Sequence, residues 1–133
     1  GATVLASSAH KTVVKNAAKN SKNLKLKTVA KKRVLKDKTR RVEIIDIGPT
    51  AHTEHLLVAY LPNEGILFEA DHFNIPQTGP VPPAVPSTRS FAEALKIHKI
   101  KPQKMLSAHS PRVSTMEDLH TALTKKVWKT TEM

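Results

Sequence analysis

The chain contains no cysteine, so disulfides and cysteine-ligated zinc are excluded within it. Its aromatic side chains are one Trp, one Tyr and three Phe, so any core must rest on Val, Leu, Ile and Ala. No apolar run approaches the ~20 residues that a membrane-spanning helix needs, and no membrane partner is expected. No leader is visible either, but the chain opens on Gly1 rather than Met, and the compartment is left unassigned.

Acidic residues are nearly missing from the front of the chain. Residues 1–41 hold 13 Lys and Arg against one acid, Asp37, whereas residues 42–133 hold nine against ten. The net charge of +11 therefore belongs to a basic amino-terminal part. Lys11, Lys15, Lys19 and Lys22 share one face of an expected helix over about 9–20, with Val13, Val14, Ala17 and Ala18 on the core side. Such charge runs usually mark a solvated face. A nucleic-acid patch is the sharper alternative, and the lack of interleaved aromatics to stack on bases argues against it.

With 133 residues, one domain is expected, its basic part at 1–41 and its chemistry in 42–133. Residues 24–47 read as a β-hairpin, with Lys36-Asp37-Lys38 as the turn. Ile44–Ile47, Leu56–Leu61 and Ile66–Phe68 read as short buried strands. Gly65 lies in a turn, where it is free to take positive φ, and Lys104–Ser107 reads as a last strand. Helices are expected from Ser87 or Thr88 to about Lys99, faced by Phe91, Ala94, Leu95 and His98. Another runs from a Ser114–Glu117 capping box to about Lys129, with Met116, Leu119, Leu123 and Val127 as its stripe and Trp128 near its end.

Between the strands and the helices, Ile75–Pro86 holds five prolines in twelve residues. It can be neither helix nor central strand. We read Thr78, Pro80, Pro83 and Pro86 as markers of a stiff loop shaping access to a site, with an interdomain linker as the alternative.

That site is suggested by three residues just past strand ends: His52, Asp71 and His109. Rigid sheets position ligands there while the loops stay adaptable. The stretches GPTAHTEHLLVAYLP, GILFEADHF and MLSAHSP resemble the later motifs of the metallo-β-lactamase superfamily. The resemblance implies that His52 binds one metal, Asp71 bridges two and His109 binds the second. Ala70 stands where the family usually has Gly. The family's His-x-His-x-Asp-His string is absent. The opening GATVLASSAHKTVVKNA resembles the strand and helix that come after that string in the family, so the chain reads as the carboxyl-terminal half of a family domain.

The fold implied is α/β, half of an αββα sandwich, a mixed sheet with flanking helices. The activity implied is that of a zinc-dependent hydrolase using water activated by one or two ions, on a small-molecule substrate. Relatives handle β-lactams, thioesters, lactones, phosphodiesters and sulfate esters. Three side chains shared between two ions fall short of the usual three per zinc. The chain alone is therefore expected to bind zinc weakly and to be inactive, with no residue assigned as catalytic, and to self-associate or pair with a complementary chain. The alternative is a binding protein whose basic 1–41 segment holds nucleic acid or another anion and whose metal site is vestigial. His55 and His72 are read as neighbours of the ligands, and His10, His98 and His120 as surface or core-edge residues.

Overall fold

The computed structural model describes residues 1–19 and 21–127. The strands are β1 (Thr3–Ser7), β2 (Lys25–Val29), β3 (Lys32–Lys36), β4 (Arg41–Asp46), β5 (Leu57–Leu61), β6 (Ile66–Glu69) and β7 (Lys104–Ser107). The α-helices are α1 (Lys11–Ala17), α2 (Pro86–Ile97) and α3 (Met116–Thr124). β3 to β7 form one five-stranded sheet in chain order, antiparallel up to β6 and parallel between β6 and β7. That mixed sheet with flanking helices is the expected α/β class. No helix among the described residues is long and apolar enough to cross a membrane.

Strand alternation decides which face is covered. Ile45, Val58, Leu67 and Met105 point to one face and pack with Phe91, Ala94 and Leu95 of α2 and Leu119 and Ala122 of α3. The opposite face carries Ile44, Ala59, Phe68 and Leu106 as successive register partners across four strands. Phe68 and Leu106 there are 46% and 39% exposed.

The hairpin expected over 24–47 is two units. β2 leaves it to pair in parallel with β1 as a separate two-stranded sheet, Thr3 opposite Lys25, and the chain bends at Ala30–Lys31. The true hairpin is β3–β4. Its turn is built by Asp37, whose carboxylate accepts from the backbone N–H groups of Thr39 and Arg40 at 2.7 and 2.8 Å. Two basic residues of this hairpin are paired with an acid. Lys32 and Arg41 both lie 2.9 Å from Oε1 of Glu43, a buried acid that joins two of the excess cations. Burial works to raise the Glu43 pKa, but the two cations outweigh it and leave the pKa below the usual carboxylate range.

The helices start and stop elsewhere than expected, for local reasons. α1 is short, with no buried residue and no side-chain cap. Val13 is solvated rather than in the core, because the core lies beneath α2 and α3; Asn20 lies outside the described residues. α2 begins at Pro86 with Val85 as its N-cap, since proline's fixed φ suits the first helical position. Ser87 and Thr88 are therefore inside the helix, and His98 at its end is exposed. The capping box of α3 is Thr115 with Asp118, one residue later than read. Ser114 is engaged on both backbone groups by Met105 and cannot turn into a cap. α3 ends at Thr124, leaving Val127 exposed; Trp128 and Lys129 lie outside the described residues.

Candidate metal centre

His52 rides on the loop between β4 and β5. Asp46 closes the foot of that loop. Its Oδ1 accepts the Gly48 and Leu56 N–H groups at 3.0 and 3.1 Å, and its Oδ2 takes the Ser7 hydroxyl at 3.2 Å and His55 Nδ1 at 2.9 Å. Burial works to raise the Asp46 pKa, but these four donors outweigh it and hold the pKa below the usual value. His55 is thus a strut of the loop. Gly48 is required by close approach: a Cβ there would lie 2.1 Å from the Glu54 carbonyl oxygen, far inside contact. Further out, the His52 and Thr53 N–H groups point to Thr50 Oγ1, and Ala51 N–H donates to Ser90 Oγ at 2.8 Å.

Asp71 follows β6 on a loop wound around a buried carboxylate. Glu69 accepts the His72 and Phe73 N–H groups at 2.8 and 3.1 Å. Thr88 of α2 donates to the His72 carbonyl at 2.7 Å. His109 follows β7, whose end is tied to the same loop. Ala108 N–H donates to Glu69 O at 3.1 Å, and Ser107 Oγ lies 2.8 Å from Ala70 O and 2.6 Å from Asn74 Oδ1.

These supports bring the three residues together. His109 Nε2 lies 2.8 Å from Asp71 Oδ1, and His52 Nε2 lies 3.9 Å from Asp71 Oδ2. Each imidazole faces a different carboxylate oxygen. All three side chains are solvent-accessible, from 42% to 68%, so an ion and its waters could reach them. Two imidazoles and a carboxylate are a suitable donor set for zinc or iron. Among the described residues, though, no group of three or more His, Cys, Asp or Glu is arranged to hold one ion. What the three residues form is two imidazole–carboxylate pairs that share Asp71.

His72 is more than a neighbour. Its ring is fully buried, edge-on to His52 at 5.5 Å and against Phe91 at 5.7 Å. Nε2 meets Thr50 Oγ1 at 2.8 Å, while Nδ1 has no hydrogen-bond partner and stands 3.7 Å from Glu69 Oε2. Burial pushes its pKa down, with Glu69 and Asp71 opposing and His52 assisting. A buried ring that ties the His52 loop to the Asp71 loop is a positioning element. Its only sequence signal was adjacency to Asp71.

The proline-rich segment is anchored to this region. Val81 and Ala84 are buried in the core, Ala84 N–H donates to Ala122 O, and Lys125 Nζ reaches the Val81 carbonyl. Pro82 and Pro83 line a cavity of about 150 Å³ whose other wall includes Asp71 and His72. Thr78 and Pro80 are exposed, and Pro86 opens α2 instead of closing the loop.

No family model matches the chain, and no curated protein matches it. Solved structures do. A metallo-β-lactamase from Pontibacter korlensis superposes with a TM-score of 0.60 at 22% identity, covering 92% of this chain and 57% of that one. Rubredoxin oxygen:oxidoreductase from Desulfovibrio gigas gives 0.65 at 16%, covering 90% and 35%. The flavodiiron core of Flv1 from Synechocystis gives 0.65 at 15%, again 90% and 35%. The chain therefore has the metallo-β-lactamase-like fold, over between about a third and just over half the length of these proteins.

Proposed function

We propose, from a chain that folds as part of a metallo-β-lactamase-like sandwich, that it carries the later ligands of a metal-dependent hydrolytic site. His52 would serve one ion, His109 a second, and Asp71 would bridge them. The observation behind this reading is the Asp71 carboxylate, which offers a separate oxygen to each imidazole. Bound metal would supply, as a nucleophile, a water whose pKa is lowered to about 7. The protein's own part is positional. Thr88 and Ser90 of α2 hold the Asp71 and His52 loops, His72 ties them together, and Pro82 and Pro83 wall the approach beside Asp71. With two protein ligands per ion, residues 1–133 alone should bind metal weakly and turn nothing over.

The test is elemental analysis of the purified chain after exposure to zinc and, separately, to iron, since one neighbour is a flavodiiron protein. Assays with nitrocefin, a thioester and a phosphodiester accompany it. Sub-stoichiometric metal that falls further in Asp71→Ala, His52→Ala and His109→Ala is expected, with no hydrolysis. Metal content indifferent to all three substitutions would remove the site. Tight stoichiometric zinc with turnover would instead show that the chain finds its missing ligands internally.

A further inference from the structure

A second cavity lies in the helical layer, with neither Asp71 nor His72 in its lining. Between α2 and α3 runs a groove of about 760 Å³, within the ~300–1,000 Å³ range of small-molecule sites. Its floor is apolar: Ala92, Leu95, Ile100, Met116, Leu119 and Leu123. Leu95, Ile100 and Leu119 are core residues, at most 3% exposed, so the floor is fixed by the packing beneath it.

The groove is polarised along its length. The start of α2 meets the end of α3, where Ala84 N–H donates to Ala122 O and Arg89 Nη1 to Leu123 O at 3.4 Å. Ala92 and Leu123 therefore mark one end. The other lies where α2 finishes, and Lys96, Lys99 and Lys101 gather there. Lys96 makes only a loose 3.7 Å pair with Glu93, both side chains well exposed. Lys99 and Lys101 enter no ion pair among the described residues. His120 and Glu93 complete the lining.

Lys99 is also held at φ 56°, a conformation that favours glycine. It closes α2 by a Schellman turn, Ile100 N–H to Leu95 O at 2.9 Å and Lys99 N–H to Lys96 O at 3.1 Å. A lysine in that place puts a cation at the groove's mouth at a local cost in strain.

We infer that this groove binds a free medium-chain carboxylate, its tail on the apolar floor and its head among Lys96, Lys99 and Lys101. The three lysines in the lining, with Arg89 at the other end outside it and bonded to the Leu123 carbonyl, select a single-headed amphiphile. An acidic helix would need cations along both flanks. The nine residues of α3 span only about 13 Å, which suits a short tail, and the surface is concave where a membrane would need a flat or convex one.

The test is a titration of the full 133-residue chain, followed by amide chemical shifts, with hexanoate, octanoate, decanoate and uncharged decanol. Saturable one-to-one binding is expected, with shifts at Ala92, Leu119 and Leu123. Affinity should rise by up to about fourfold per added methylene. Decanol, and separately the Lys99→Glu/Lys101→Glu variant, should bind about tenfold more weakly. Ala92→Phe, which fills the apolar end at a partly exposed position, should weaken decanoate while leaving the circular dichroism unchanged. Equal decanoate affinity in all variants overturns the inference. So does a groove filled by a second copy, seen as a dimer lost in Leu123→Glu, or association with lipid vesicles without binding of monomeric decanoate.

Discussion

At the residue scale, Asp46 shows how a single carboxylate can hold a functional loop. Four donors converge on it, three from the loop's own span and one from Ser7. Its side chain is only 7% exposed, so its ionised form depends on those donors. Because its pKa is depressed on folding, its contribution to stability is present above the unfolded value near 3.8 and is lost as pH falls through the folded one. Asp46→Asn should therefore cost about 1–3 kcal/mol at neutral pH. It should also flatten the loss of stability between about pH 5 and pH 2, as read by urea denaturation across that range. An unchanged acid limb would show that another carboxylate governs it. His55, read in the sequence only as a neighbour of His52, takes its meaning here. Its ring is spent on Asp46, a residue nine positions away that no local pattern connects to it.

At the element scale, turn chemistry was legible and long-range pairing was not. Gly65 does take φ 65°, and Asp37 does build its turn, because both depend on a few adjacent residues. β2 pairs with β1 and not with β4, because its alternation declares a half-buried strand without naming the edge it will join. The α3 cap falls one residue later than the sequence pattern indicates, because Ser114 and Thr115 are both capping residue types, Ser the better by intrinsic preference. The bridge from Ser114 to Met105 decides between them, and it is a tertiary fact. The end of α2 offers a direct measurement of local conflict. Lys99 occupies a left-handed position at a cost of roughly 1–2 kcal/mol for a non-glycine residue, offset in part by glycine's greater freedom when unfolded. Lys99→Gly should raise stability by about 0.5–1 kcal/mol in thermal or chemical denaturation. A loss would mean that the lysine side chain contributes more in the groove than its backbone costs.

At the scale of the whole molecule, the sheet has one finished face and one open one. The helices bury the side bearing Val58 and Leu67, while Ile44, Ala59, Phe68 and Leu106 form an apolar row across the other. That His52, Asp71 and His109 come together was legible because each follows a strand and the strands of the sheet lie in chain order. The struts His72, Thr88 and Ser90 were not, since each acts across elements 16 to 39 residues apart in sequence. The open face arises from the same alternation: Phe68 has 46% of its surface exposed although it sits mid-sheet. Exposed apolar patches of this kind drive association, so we expect the isolated chain to self-associate through this row. Phe68→Ser with Leu106→Ser leaves the charge unchanged and removes the two most exposed members of the row. Sedimentation velocity over a concentration series should then show the larger species diminished, with the circular dichroism retained because neither side chain belongs to the core under the helices. If the double variant associates as strongly as the parent chain, the contact lies elsewhere, and the basic amino-terminal unit with its solvated α1 becomes the surface to vary next.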